Sequence, residues 1–519
     1  MVSLSKTIHK FFCYKTEKIK TKVTIFTFIN KYRLKYMKKT YYLVLLLFAT
    51  AIGFQSCQDN DDVAPAANLE IQDFIWKGLN QYYLWQADVP NLDDKRFADQ
   101  AALNSFLSGY PKPEVLFDAL RVDKSKDRFS WIVDDYLELE GQLQGTTKNN
   151  GVEFGLSYKP GSTTEIIGFV RYIIANSDAS TKNIKRGDIF NAVNGTALNK
   201  SNYQSLLFGS NENYDLNMAD FNGTTIVSNG KTVSLTKTVL SENPILISTV
   251  IPSGSKRIGY LMYNGFYADY DIRLNDAFGA LKSAGVTDFV LDLRYNGGGS
   301  VQTAARLASM ITGQFTGQVF AKQQWNKKIN DYFEKENPSA LFNYFTEKIG
   351  STTINSINMS KVYVLTASGT ASASELVING LKPHVTVVQI GDVTVGKNVG
   401  SVTLYDSPTF GSENRNPNHK YAMQPIVLKI VNSAGFGDYF NGLQPDFLLK
   451  ETVSTLGTLG DSSEPLLSLA ISKITGSARM MKATPANDLK FFKDSKSINE
   501  FQNEMYIEKA PEGLLKALD

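Results

Sequence analysis

Phe289-Val290-Leu291-Asp292-Leu293-Arg294-Tyr295-Asn296-Gly297-Gly298-Gly299 decides the fold. Its first five residues are a short apolar run of the length of a buried strand, a consecutive glycine cluster follows, and Val301 to Ile311 then has helical character. Strand, glycine turn and helix in that order make one unit of an α/β domain. Two further buried strands follow, Lys361 to Thr366, leading to a helix from about Ser374 to Leu381, and Val385 to Ile390. The alternation holds over residues 246–475 and sets them apart from the rest of the chain.

Each turn carries residues suited to chemistry. In Asp292-Leu293-Arg294-Tyr295-Asn296-Gly297-Gly298-Gly299, side-chain-free backbone lets amide N–H groups approach an anion, as an oxyanion site or a phosphate cradle requires. Thr370-Ala371-Ser372-Ala373-Ser374-Glu375 sits where a helix starts. Ser372 and Glu375 fit a capping box, which gives Ser372 a purely structural reading. A nucleophile there would have the adjacent Ala373 N–H ready for a developing oxyanion. Gly391-Asp392-Val393-Thr394-Val395-Gly396-Lys397-Asn398 nearly spells a phosphate-binding P-loop, but Asn398 replaces the metal-binding hydroxyl and Gly400 to Leu404 continues as a strand where a P-loop needs a helix. Its bland reading is a surface lysine on a glycine turn.

Taken in order, the three segments resemble the carboxyl-terminal processing, or tail-specific, protease family. That family shows Asp-Leu-Arg-x-Asn-x-Gly-Gly, then Ser-Ala-Ser-Glu, then Gly-Lys, and here Ser372 and Lys397 stand 25 residues apart as the family has them. Gly442-Leu443-Gln444-Pro445-Asp446 matches a further signature, and the likeness runs over roughly residues 69–450. The resemblance implies a crotonase/ClpP-like α/β core. It implies Ser372 as nucleophile, Lys397 as general base, and an oxyanion hole from the Gly298 and Ala373 amides, with no metal or nucleotide cofactor. Lysine is charged at neutral pH by its reference pKa of about 10.4, and burial lowers that value, so a dry site would let it accept the serine proton. Two departures stand out. The glutamine often found four residues after the lysine is Ser401, with Thr403 its counterpart if two residues are inserted. An aspartate found before the third strand is Pro383. Glu375, Ser401 and Thr403 are therefore the supporting candidates. His384, beside Pro383, offers a Ser-His alternative.

Upstream, residues 145–242 change to short strands separated by turns such as Asn194-Gly195 and Asn229-Gly230. Ile184-Lys185-Arg186-Gly187-Asp188-Ile189-Phe190-Asn191-Ala192-Val193-Asn194-Gly195 resembles a PDZ domain, which implies peptide capture by strand addition at a sheet edge. The expected edge is Val152-Glu153-Phe154-Gly155-Leu156. Any small β-rich domain with an Asn-Gly hairpin is the simpler reading. Residues 68–140 read as a helical domain, with Ile71, Ile75, Leu79 and Tyr82 at helical spacing between about Leu69 and Leu84, and shorter helices over Ala101–Leu107 and Val115–Leu120.

The leader closes the reading. Residues 1–39 hold eleven Lys or Arg against Glu17, and without them 43 basic and 50 acidic residues remain, a mildly acidic body with nothing to suggest nucleic-acid binding. From Met37, the expected true start, a basic pair precedes an apolar run, Tyr41 to Phe54, too short to span a membrane. It ends at Cys57, which resembles a bacterial lipoprotein signal and implies a lipidated cysteine. Residues 58–67 read as a tether, and 476–519 as a polar tail without a site. Cys13 and Cys57 are the two cysteines and His9, His384 and His419 the three histidines, too few for a thiolate or His-rich metal centre. The expectation is a serine peptidase lipid-anchored in the cell envelope, at the outer membrane, acting on polypeptides with accessible carboxyl termini. The rivals are an inactive PDZ-based peptide-binding lipoprotein and a binder of small hydrophobic molecules.

Overall fold

The computed structural model describes residue 66 and residues 68–477, 488–498 and 504–508. The leader and Cys57 lie outside the described residues.

The helical region begins with α1 (Glu70–Tyr82), followed by α2 (Gln100–Leu107) and α3 (Pro113–Ala119). Asp99 caps α2 by accepting from Ala102 N–H, and Pro113 opens α3, where its missing N–H costs nothing. α4 (Tyr136–Leu143) leads out. Ile75, Leu79 and Tyr82 are buried, as their spacing predicts.

The β-rich region has β1 (Val152–Tyr158), β2 (Ile166–Ile173), β3 (Ile189–Val193), α5 (Tyr203–Phe208), β4 (Asn213–Phe221) and β5 (Ile226–Thr236). These strands pair antiparallel in chain order, and β1 is the edge of that run.

The α/β region contains β6 (Ile245–Ser253), β7 (Lys256–Tyr263), α6 (Asp271–Ser283), β8 (Asp288–Asp292), β9 (Gly299–Ser300) and α7 (Val301–Thr312). β10 (Val319–Trp325), β11 (Phe342–Tyr344), β12 (Lys361–Thr366), α8 (Ala373–Leu381), β13 (Thr386–Gly391) and β14 (Val399–Val402) continue it. It closes with β15 (Ala422–Gln424), β16 (Ile426–Asn432), β17 (Phe447–Leu448) and α9 (Pro465–Thr475). One sheet runs β6-β7-β8-β12-β13-β17, parallel from β7 onward. The strand after Lys397 is present as β14, so the P-loop reading fails on structure as it did on sequence.

The last stretch, read from the sequence as a polar tail without a site, contains two strands. Phe491–Asp494 forms β18, which adds to the free edge of β1, and Met505–Ile507 forms β19. The second sheet of the α/β region runs β9-β19-β14-β16-β10-β11, so β19 lies between β9 and β14. Both strands are short and fixed by partners far away in sequence, Ser157 for Phe491 and Gly299 and Ser401 for Met505 and Tyr506, which no local periodicity signals.

Leu79 and Leu116 of the helical region share one hydrophobic core with Leu291, Leu376 and Met505. The β-rich region keeps its own, around Phe154, Phe190 and Leu216.

Candidate active site

The site forms where the turns after β8, β12 and β13 meet. Asn296 joins the first two. Its carbonyl accepts from Ala371 N–H at 3.2 Å and from Ser374 Oγ at 3.1 Å, and its amide donates to Tyr263 O at 2.8 Å. Thr370 Oγ1 adds a bond to Leu293 O at 2.9 Å.

Ser372 immediately precedes α8. Its backbone has φ 65° and ψ −117°, a conformation that costs a non-glycine residue about 1–3 kcal/mol. The residue is fully buried, and its Oγ makes no hydrogen bond. An unpartnered buried hydroxyl is itself costly, so both features point to a functional position. The capping-box arrangement is present at the start of α8, with Glu375 accepting from Ser372 N–H at 2.7 Å, while Ser372 Oγ makes no hydrogen bond of its own.

Glu375 is the hub. Its Oε2 also accepts from Lys397 N–H at 2.9 Å, and its Oε1 from Gly396 N–H at 2.7 Å and from Thr394 Oγ1. One carboxylate thus ties the serine turn to the lysine turn. Burial pushes the Glu375 carboxyl above its ordinary value, against the opposing effect of these bonds. Leu443, in the Gly442–Asp446 signature, braces the same loop: its N–H donates to Thr394 Oγ1 at 2.7 Å.

Lys397 is fully buried. Its Nζ donates to Glu504 Oε2 at 3.1 Å and lies 4.8 Å from the Phe129 ring centroid. Desolvation drives its pKa below the usual lysine value, while Glu504, Asp127 and Glu375 pull the other way. No hydrogen bond joins Lys397 Nζ to Ser372 Oγ in this conformation.

Of the expected oxyanion donors, Ala373 N–H heads α8, whereas Gly298 N–H is engaged with Asn296 Oδ1 at 2.9 Å. The neighbouring Gly299 N–H instead meets a carbonyl oxygen, that of Glu504. Gly298 has φ 113°, and a Cβ there would come within 2.9 Å of Ser372 Oγ and 2.5 Å of Glu504 O, so only glycine leaves this space open. Ser401 Oγ reaches Glu504 Oε2 at 3.1 Å and Gln424 Oε1 at 2.6 Å. Thr403 Oγ1 accepts from Gln424 Nε2 at 2.8 Å and connects to Lys397 only through Gln424, Ser401 and Glu504. The edge residues Val152 to Leu156 lie on β1, with Glu153 bound to Ser495 Oγ at 2.9 Å.

Sequence reasoning missed Phe129, Arg128, Gln424 and Glu504. Arg128 donates to Gly396 O at 2.9 Å and Phe440 O at 3.2 Å, locking the helical region onto the lysine turn. No motif marks these residues: Arg128 reaches Gly396 across 268 residues and Glu504 reaches Lys397 across 107. His384 lies beyond the far end of α8, about 13 Å along the helix from Ser372 by its rise, and contacts Val319 O and Ser433 Oγ, each at 3.1 Å. Among the described residues no cluster of His, Cys, Asp and Glu could hold a metal ion.

Residues 257–411 match the model of Peptidase family S41, and residues 70–131 match that of the Peptidase S41 N-terminal domain. A C-terminal processing peptidase from the chloroplast of Tetradesmus obliquus is 27% identical over 259 residues, 48% of this chain and 51% of that protein. A carboxyl-terminal-processing protease from Picosynechococcus is 27% identical over 167 residues, 32% of this chain and 35% of the relative. This chain thus spans about half the length, or less, of these curated relatives. A crystal structure assigned to the S41 proteases, from Bacteroides fragilis NCTC 9343, superposes with a TM-score of 0.61 at 25% identity, covering 80% of this chain and 98% of its own.

Proposed function

We propose that the protein is a serine endopeptidase cleaving polypeptides near their carboxyl termini, with Ser372 as nucleophile and Lys397 as general base. The observation that carries this reading is the buried, strained, unpartnered Ser372 joined through Glu375 to the turn of a desolvated lysine. In the reaction, neutral Lys397 takes the Ser372 proton as Oγ attacks the substrate carbonyl carbon. Negative charge develops on the carbonyl oxygen, opposite the Ala373 amide and a glycine amide at Gly298 or Gly299. Gly298 serves only after exchanging its bond to Asn296. Collapse breaks the C–N bond, and Lys397 returns the proton to the leaving amine. Water then hydrolyses the acyl-enzyme by the same proton path. Glu375 acts as a positioning residue.

The β-rich region fits a PDZ-type role, with a peptide added as a strand beside β1, facing α5. The sequence around Cys57 supports lipidation and placement at the cell envelope. The reaction is tested by incubating the purified protein with denatured polypeptides and reading new termini by mass spectrometry: cuts clustered near carboxyl ends are expected, and their absence rejects the reading. Fluorophosphonate labelling of Ser372 separates an active enzyme from a dead peptide-binding scaffold.

A further inference from the structure

The chain fills its own peptide path. β18 pairs antiparallel with β1, with Phe491 opposite Ser157 and Asp494 opposite Gly155. The Phe492 ring sits 5.2 Å from Tyr158 on β1 and 5.5 Å from Tyr203 on α5, between strand and helix, and packs on the core of the β-rich region. Asp494 forms a buried ion pair with Arg171, and Ser495 Oγ accepts from Phe154 N–H at 3.3 Å. Lys496 Nζ then donates to Asn264 O at 3.2 Å. Further on, Glu504 presents its carbonyl to Gly299 N–H and its carboxylate to Lys397, beside Ser372. β19 fills the slot between β9 and β14, with Met505 opposite Gly299 and Tyr506 opposite Ser401.

We infer that residues 488–498 and 504–508 are a tethered occupant of the substrate path, holding the β1 edge and the slot beside Ser372 against peptides supplied in trans. The inference builds on the proposed peptidase reading. An intramolecular strand acts at an effective concentration reaching millimolar, so it outcompetes free peptides without tight contacts. Its glutamate also stabilises the ammonium form of Lys397, which cannot accept the serine proton. Displacing the strand frees the β1 edge, the Gly299 amide and Lys397 together.

The test separates occupancy from catalysis. In full-length protein carrying Ser372→Ala, with Cys13 and Cys57 changed to serine, binding of a fluorescein-labelled peptide of sequence 488–508 is measured by anisotropy. Phe492→Ala with Glu504→Ala is expected to tighten binding by about tenfold or more over the native tail. A Ser157→Cys/Phe491→Cys pair is expected to block binding when oxidised and to release the block with reductant, which covers the case in which the alanine variant fails to fold. Unchanged binding in a folded alanine variant, or equal binding by the oxidised and reduced pair, overturns the assignment. With Ser372 restored, the alanine variant should cleave a reporter peptide about tenfold faster than the native tail. Slower cleavage by that variant, folded to the native melting temperature, would make Glu504 a positioning residue and overturn inhibition. Tighter peptide binding without any cleavage leaves the occupancy standing and sinks the peptidase reading.

Discussion

At the scale of single residues, Ser372 and Ser374 separate catalysis from packing. Both are buried at the start of α8, yet Ser374 Oγ donates to Asn296 O while Ser372 Oγ has no partner. Ser372→Ala should abolish peptidase activity in a folded protein. Ser374→Ala should keep most activity and lose about 1 kcal/mol of stability with its hydrogen bond. Assays of both variants beside their melting curves check this. Lys397 faces Glu504, Asp127 and Glu375, with the Phe129 ring beside its Nζ. Its pKa is lowered because burial outweighs those carboxylates, so the neutral base becomes populated below the ordinary lysine range, and activity should rise with pH on one ionisation. Lys397→Arg, which stays charged, should be inactive across that range. A pH–rate profile on a reporter peptide measures both; a profile falling through the same range contradicts the assignment. Ser372, Lys397 and Glu375 were legible as residues because they stand in ordered motifs, and Ser401 because it takes the place of an expected glutamine. Their geometry was not, since the capping box and the nucleophile share one sequence pattern and only the orphaned hydroxyl separates them.

At the scale of elements, the strands and helices of the α/β region follow from apolar runs broken by glycine. What holds the glycine turn in place is less visible. Arg294 is fully buried and binds Asp292, Glu464 and Glu451, at 2.8, 2.7 and 2.9 Å. Glu464 in turn caps α9 by accepting from Leu467 N–H at 2.9 Å. Thus the Asp-Leu-Arg part of the motif is an anchor, fastening the end of β8 to α9 rather than meeting substrate. Arg294→Met leaves the buried Asp292 and Glu464 without their cation, while Glu451 keeps Arg186, and should cost about 3–5 kcal/mol. Chemical denaturation reads that loss directly, and a change under 1 kcal/mol would reject the anchoring role. Two of the partners of Arg294, Glu451 and Glu464, are 157 and 170 residues away in sequence, which is why the motif alone suggested chemistry.

Across the whole molecule, composition separated a helical, a β-rich and an α/β region, but not how deeply the first enters the third. Tyr83 OH holds Asp127, whose segment carries Arg128 and Phe129 to the lysine turn, so the helical region completes the dry pocket around Lys397. Burying α1 and α3 in one core with Leu376 leaves these helices no independent interior. The tail shows the same limit. Its residues are polar by composition, and their strand character arises from open edges at β1 and between β9 and β14. At the other end of the chain, the apolar run before Cys57 predicts that Cys57→Ala moves the protein from the membrane fraction to the soluble fraction with peptidase activity unchanged. Labelling with a clickable fatty acid checks this, and an unlabelled native protein removes the anchor.

The central claim is that Ser372 is the nucleophile of a peptidase, and the most direct measurement is intact mass spectrometry of the protein after reaction with a fluorophosphonate, followed by peptide mapping. One adduct on Ser372 is predicted, formed faster as pH rises and absent in both Ser372→Ala and Lys397→Ala. An adduct on another serine, or labelling of Ser372 undiminished in Lys397→Ala, would contradict the account.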